Sequence, residues 1–342
     1  MKFKSLLNKL SSRSWKALIS MSFLLIVIGA IRLFTFSARQ EINDELYKKY
    51  FAENYRIFAV NIPTDLNFAG EQVPLQDFEV RERIDREFLV NTYWQSQTLL
   101  LIKRANRWLP LISSILKQHN IPEDFKYLAI IESGFTHGVS SKGAAGFWQF
   151  IPSTAQAYGL TINEEIDERY HVEKSTESAC KLFKDCYKSL GNWTLVAASF
   201  NIGLNGLQRQ MTKQKATSYY DLLLNEETAR YVFRVLAIKE IFKNPRDYGF
   251  VIRKKDLYPP ILSQTIQVDS SITDMALFAE KAGINYKLLK YFNPWLRSDA
   301  LTNKEGKSYS IKIPHSSVKN YDELMRLAES EFTSPILVSD SL

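Results

Sequence analysis

Only two cysteines, Cys180 and Cys186, occur in the 342 residues of this chain. They lie six apart on one predicted helix, too far along it to bridge, and Cys186 falls on the apolar stripe Ala179, Leu182, Phe183, Cys186 and Leu190. Both read as core thiols, so no disulfide framework is expected. No metal site is visible, no cofactor is expected, and the chain has no repeat and no low-complexity tract. Acidic residues are missing from residues 1 to 36, which carry Lys2, Lys4, Lys9, Arg13, Lys16 and Arg32. The whole chain has 44 basic and 37 acidic residues for a net +7; without those six the balance is 38 to 37, or +1. The basicity is confined to the N-terminus, which excludes nucleic acid as an expected partner.

The N-terminal basic stretch leads into Ala17 to Phe36, apolar apart from Ser20, Ser22, Arg32 and Thr35. About 20 such residues suffice to span a bilayer, and Arg32 near one end can snorkel to the interface. A cleavage site is lacking: Ile28-Gly29-Ala30 and Phe36-Ser37-Ala38 each put a bulky residue at the −3 position. No cysteine is present there for lipid attachment. Residues 1–38 are therefore expected to be a cytoplasmic basic segment and an uncleaved single-pass anchor, with everything from residue 39 outside.

What the chain does have is a carboxylate on an apolar stripe. Pro122 to Glu132 reads as a helix, with Pro in the first turn, Glu123 and Asp124 at its electropositive end, and Gly134 after its last turn. The stripe runs Phe125, Leu128, Ala129, and the next position at helical spacing is Glu132. An ion pair with a Lys or Arg is one reading of such a Glu. The other comes from its sequence neighbours: Ser133-Gly134-Phe135, and then Ser140 to Ala155, in which small residues permit close backbone approach and Phe147-Trp148-Gln149-Phe150 brings aromatic faces and an amide. That combination suits a sugar.

Four ordered motifs resemble the lysozyme-like soluble lytic transglycosylase (SLT) family, and within it the membrane-bound murein transglycosylase D branch. They are Glu132-Ser133, Gly146-Phe147-Trp148-Gln149, Ser199-Phe200-Asn201-Ile202-Gly203 and Glu227-Thr228-Ala229-Arg230-Tyr231-Val232. Framework residues agree: Arg107-Trp108-Leu109-Pro110, Pro122-Glu123-Asp124, Asp167-Glu168-Arg169 and Lys174-Ser175-Thr176. One departure is Phe200, where the family carries Tyr.

The resemblance implies a mainly α, lysozyme-like catalytic module acting on peptidoglycan glycan strands. Glu132 would protonate the glycosidic oxygen between N-acetylmuramic acid and N-acetylglucosamine, then take the proton of the muramoyl C6 hydroxyl as it closes onto C1. Tyr231 would orient Glu132. Gln149 and Asn201 would hold N-acetyl groups and hydroxyls, while Phe147 and Trp148 line the sugar subsites beside Gly146 and Phe200, and Ser133 braces the helix end. Two alternatives stay open: a hydrolytic, goose-type-like lysozyme, which delivers water to C1, and an inactive wall-binding scaffold. Glycoside hydrolases normally use two carboxylates, and within the motifs only Glu132 has a catalytic setting, although Asp167 and Glu168 lie near in sequence.

Helical periodicity predicts helices over 41–60, over 79–119 with a break near Pro110, and then over 122–132, 152–158, 174–190, 193–200 and 226–243, the last capped by Asn225. On that last helix Tyr231, Val235, Ile238 and Phe242 share one stripe, so Tyr231 is predicted to face inward; an ordinary core Tyr fits the same stripe. Asn244-Pro245 ends the helical part and Pro259-Pro260 reads as a linker. Strands over 265–268 and 309–314 around helices 271–282 and 285–292 resemble a LysM peptidoglycan-binding module, with Asp269-Ser270-Ser271 replacing its usual turn and a long 295–308 loop. The expected organisation is therefore 1–38 anchor, 39–105 juxtamembrane helical region, 106–250 SLT domain, 260–315 LysM-like module and 316–342 tail. All four motifs end by Val232, so the C-terminal module is expected to be dispensable for chemistry.

Overall fold

The computed structural model describes residues 44–54 and 57–336, together with Met21, Leu25 and Val27. The rest of the expected anchor lies outside the described residues, among which no helix is long and apolar enough to cross a membrane. Helix α1, Asp44–Asn54, opens on Asp44 and Glu45 and falls in a separate unit from residues 58–338.

Within the larger unit the chain first makes a two-residue hairpin, β1 (Asn67–Phe68) and β2 (Glu71–Gln72), turning through Ala69 and Gly70 at positive φ. Helix α2, Phe78–Tyr93, is capped by Asp77, whose carboxylate accepts from Glu79 and Val80 N–H. Helix α3 runs Gln95–Gln118. The expected break at Pro110 is therefore corrected: the chain breaks at Trp94 (φ −85°, ψ 54°) and Pro110 sits inside α3. Proline costs the helix one hydrogen bond, but the buried stripe Leu101, Ile102, Ala105, Leu109, Ile112, Ile115 and Leu116 carries it through.

A single 3-10 turn, Glu123–Phe125, leads into α4, Lys126–Ser133. Next come α5 (Pro152–Ala157), α6 (Val172–Leu190), α7 (Trp193–Ile202), α8 (Leu204–Gln214) and α9 (Glu226–Lys243). Helix α8 was not anticipated; Gly203 at φ 82° turns the chain between α7 and it. The long α9 packs on α2, α4 and α7, while α3 packs on α4 and α6. Charged pairs fix that arrangement. Arg230 on α9 donates from Nε to Glu87 on α2 at 2.6 Å, Lys239 reaches Asp124 at 2.7 Å, and Glu71 of the hairpin accepts from Trp193 and Thr194 N–H at the start of α7. Cys180 and Cys186 are buried free thiols.

The C-terminal part pairs β3 (Ser263–Val268) antiparallel with β4 (Tyr309–Pro314), Ser263 opposite Pro314, around α10 (Met275–Lys281) and α11 (Tyr286–Phe292). It is not tethered loosely. Its core, with Met275, Leu289, Trp295, Leu301 and Ile311, includes Ala145, Ile166 and Tyr170 of the helical part. Trp295 carbonyl accepts from Asp167 N–H at 2.9 Å, and Arg297 N–H donates to Glu165 carbonyl at 2.7 Å. The Pro259-Pro260 segment lies along α3, because Asn106 and Arg107 donate to the carbonyls of Tyr258 and Pro259. A last helix, α12 (Tyr321–Glu331), leads to Ser334, which donates to Asn106, and to buried Ile336.

Candidate active site

Two helix ends bring the central pair together. Helix α4 stops at Gly134, which adopts φ 56° and donates its N–H to Ile130 at 2.8 Å; a side chain there would meet Leu101 at 2.9 Å. Glu132 thus sits in the last turn, half-buried, next to the fully buried Phe125, Leu128 and Ala129. Helix α9 starts at Asn225, whose amide oxygen accepts from Thr228 N–H at 3.0 Å. Its inward stripe buries Tyr231, Val235, Ile238 and Phe242. The Tyr231 hydroxyl donates to Glu132 Oε1 at 2.7 Å.

That geometry sets the proton affinity of Glu132. Burial pushes its pKa up, to about 7 on balance, against the downward pull of the Tyr231 hydrogen bond and the Arg234 guanidinium, while the Glu227 carboxylate adds to the rise. Burial also raises the Tyr231 hydroxyl well above its usual range, as does the neighbouring Glu132, so it remains a donor. The arrangement is one carboxyl able to give and take a proton near neutral pH, held by a permanent donor.

Glu227 and Arg234 were not singled out from the sequence. The signal was present, since they lie four residues before and three after Tyr231, on the same helical face. Glu227 is exposed and accepts from Asn201 Nδ2 at 3.3 Å, and Asn201 Oδ1 accepts from the Thr228 hydroxyl at 2.7 Å. Asn201 is thereby clamped to α9. Gln149 has φ 45°, and its amide nitrogen donates to Gly146 carbonyl at 2.9 Å and Gly138 carbonyl at 3.1 Å, closing the loop around it. The Ser133 hydroxyl, at the end of α4, donates to the Ala129 and Phe147 carbonyls.

Three expectations need correction. Phe147 and Trp148 do not present faces to a groove: they are 1% and 0% exposed. Trp148 packs against Phe183 and Phe200 and donates from Nε1 to Thr176 at 2.9 Å; Phe147 is packed by Trp108 and Phe135. Large rings flanking a tight turn are worth more buried in the core than wet. Gly146 is buried too; at φ 78°, an added Cβ would fall 1.9 Å from the Arg169 carbonyl oxygen, so its smallness serves chain packing. Phe200 lies half-buried among Trp148, Phe150 and Phe183, a site that suits a ring without a hydroxyl. Asp167 and Glu168 are both spent structurally, Asp167 on Arg169 at 2.6 Å and Glu168 on Lys174 and Thr161 N–H. Among the described residues no cluster of three or more His, Cys, Asp and Glu is arranged to hold a metal ion.

Residues 111–223 match the family model described as the transglycosylase SLT domain. The chain carries an SLT domain. Residues 264–317 match the soluble lytic transglycosylase C-terminal LysM-like domain. The SLT match contains Glu132, Gln149 and Asn201 and stops before Tyr231, which the hydrogen bond to Glu132 joins to it. The chain is homologous to the membrane-bound lytic murein transglycosylase D of Escherichia coli strain K12, and to the protein of the same name from strain O6:H1. In each case it is 29% identical over 283 residues, 80% of this chain and 61% of the relative. The chain thus spans about three fifths of the length of these relatives.

Proposed function

We propose that this protein is a peptidoglycan lytic transglycosylase, cleaving the β-1,4 bond between N-acetylmuramic acid and N-acetylglucosamine and leaving 1,6-anhydromuramoyl ends in cell-wall turnover. The observation that carries this reading is the Tyr231–Glu132 hydrogen bond of 2.7 Å to a carboxyl whose pKa is raised to about 7. Glu132 donates its proton to the glycosidic oxygen as the C1–O bond breaks, releasing the N-acetylglucosamine hydroxyl. The C6 hydroxyl of the muramoyl residue then bonds to C1 and returns its proton to Glu132. No water enters, so the acid is regenerated in one cycle. Tyr231 favours the anion formed between the two transfers. Gln149, tied to its own loop, and Asn201, tied across to α9, shape the groove and offer remaining lone pairs and hydrogens to N-acetyl groups; Ser133 holds the end of α4.

The hydrolytic alternative has one observation in its favour, the exposed Glu227 carboxylate close enough to Glu132 to influence its charge. Its hydrogen bond with Asn201 supports a structural role instead. Mass spectrometry of digested peptidoglycan tests the proposal: anhydro ends, lighter by one water than reducing ends, are expected as the main product. Reducing ends would move the assignment to a lysozyme, and no turnover to a wall-binding scaffold.

The protein is further proposed to be held in the inner membrane by residues 1–38, with the catalytic part in the periplasm. The +5 segment before the apolar run supports this orientation. Protease added to spheroplasts is expected to digest everything beyond the anchor; full protection, or a soluble form starting near residue 39, would contradict it.

A further inference from the structure

Where β3, α11 and the C-terminal tail meet α3, the chain encloses a cavity of about 350 Å³, large enough for a small molecule. Neither Glu132 nor Tyr231 lines it. Its walls are aromatic, with Trp108, Tyr291, Trp295 and Phe332. Two cations stand at it, and they are not equivalent. Lys312 is hydrogen bonded to Glu173; burial would raise that carboxyl, but His171 and Lys312 hold it down at about 2, so the lysine is neutralised. Arg107 donates only to neutral oxygens, from Nε to Pro259 carbonyl at 2.9 Å and from Nη1 to the Tyr291 hydroxyl at 3.0 Å, and faces the Tyr258 ring at 5.7 Å. Among the described residues no carboxylate pairs with it. His171 Nδ1 lies 3.3 Å from the other Glu173 oxygen, so the imidazole belongs to the same compensated group as Lys312.

Aromatic faces and an uncompensated guanidinium together suit an amphipathic anion. On the reading that the substrate is peptidoglycan, on which this step rests, N-acetylmuramic acid combines an apolar ring face with a carboxylate. We infer that the cavity between the SLT and LysM-like domains is a second glycan site, which takes an N-acetylmuramic acid residue with a free lactyl carboxylate. The carboxylate meets Arg107, whose planar fork matches it. The sugar ring lies on the aromatic walls. The catalytic domain thereby holds a second stretch of a strand from which the stem peptide has been removed.

The test is equilibrium dialysis of the full chain against labelled N-acetylmuramic acid and labelled N-acetylglucosamine, which differ by the lactyl ether alone. The parent is expected to bind the acidic sugar about tenfold more tightly. Arg107→Gln, which keeps a donor for Pro259 and Tyr291 but loses the charge, is expected to bring the two affinities together. Ser263→Trp, which brings an indole into the cavity from its exposed rim and leaves the Arg107 charge in place, should abolish the preference as well. Thermal unfolding checks that each variant is folded, and Ser263→Trp carries the test if Arg107→Gln is not. Equal binding of both sugars by the parent, or a preference that survives the substitutions, overturns the inference. A chain that shows the preference but makes no anhydro ends fails only the catalytic reading; one that makes them without the preference fails only this one.

Discussion

Tyr231 and Glu132, 99 residues apart, meet through a 2.7 Å hydrogen bond in which the buried phenol is the donor. The bond favours the carboxylate, while burial favours the acid, and the balance leaves Glu132 at about 7. Removing the hydroxyl tips that balance. In Tyr231→Phe the alkaline limb of kcat/KM, which reports the protonated acid of the free enzyme, is expected to move up by about one pH unit. The maximal rate should fall by less than in Glu132→Gln. An unmoved limb would mean that Tyr231 is a core residue without influence on the acid.

The charges one turn to either side of Tyr231 act in opposite senses. Glu227→Gln removes a like charge and should move the same limb to lower pH, whereas Arg234→Gln removes an opposite charge and should move it higher. Both shifts are expected to be smaller than that of Tyr231→Phe. Shifts of the same sign in the two variants would show that neither side chain acts through the field at Glu132.

Holding Glu132 ready to give a proton weakens the fold. A carboxyl raised from 4.5 to about 7 makes the native state bind more protons than the unfolded chain between those pH values. Stability from this group is therefore fully present below pH 4.5 and lost as pH rises through 7. Glu132→Gln, which never ionises, is expected to be more stable than the parent at pH 8, by at most about 3 kcal/mol, and so to melt at a higher temperature. Near pH 4 the advantage should vanish. Melting curves at the two pH values check this, and an equal difference at both would remove the linkage.

The dispensability expected of the C-terminal module is at odds with its packing. Ala145, Ile166 and Tyr170 share a core with it, and Asp167, which pairs with the Arg169 that holds Gly143 and Phe150 carbonyls, donates its N–H to Trp295. A chain ending near residue 250 is expected to melt more than about 5 °C lower. Its kcat/KM on soluble muropeptides should fall with it, because the Gly146–Gln149 loop loses its backing. Unchanged melting and turnover would show that the two parts are independent.

Much of the site was legible because its signals are local. The Pro and Gly bounding α4, the Asn225 cap and the stripe of α9 fix where Glu132 and Tyr231 point, and each depends on residues within a few turns. The strands around α10 and α11 were legible from their alternation. What stayed hidden depends on distant partners. Whether Phe147 and Trp148 face a groove or a core is decided by Trp108, Phe183 and Thr176, and Gly146 is required by a carbonyl 23 residues away, at Arg169. Pro110 was read as a break because its local penalty is plain, while the buried face that outweighs it is spread along the whole of α3.

The proton cycle itself is tested most directly by digesting peptidoglycan in oxygen-18 water with the parent and with Glu132→Gln. One carboxyl that protonates the leaving oxygen and then deprotonates C6 leaves no place for solvent in the product. Unlabelled 1,6-anhydromuramoyl ends are expected from the parent, and a rate at least about a hundredfold lower from Glu132→Gln. Labelled reducing ends as the main product, or an unimpaired Glu132→Gln enzyme, would contradict it.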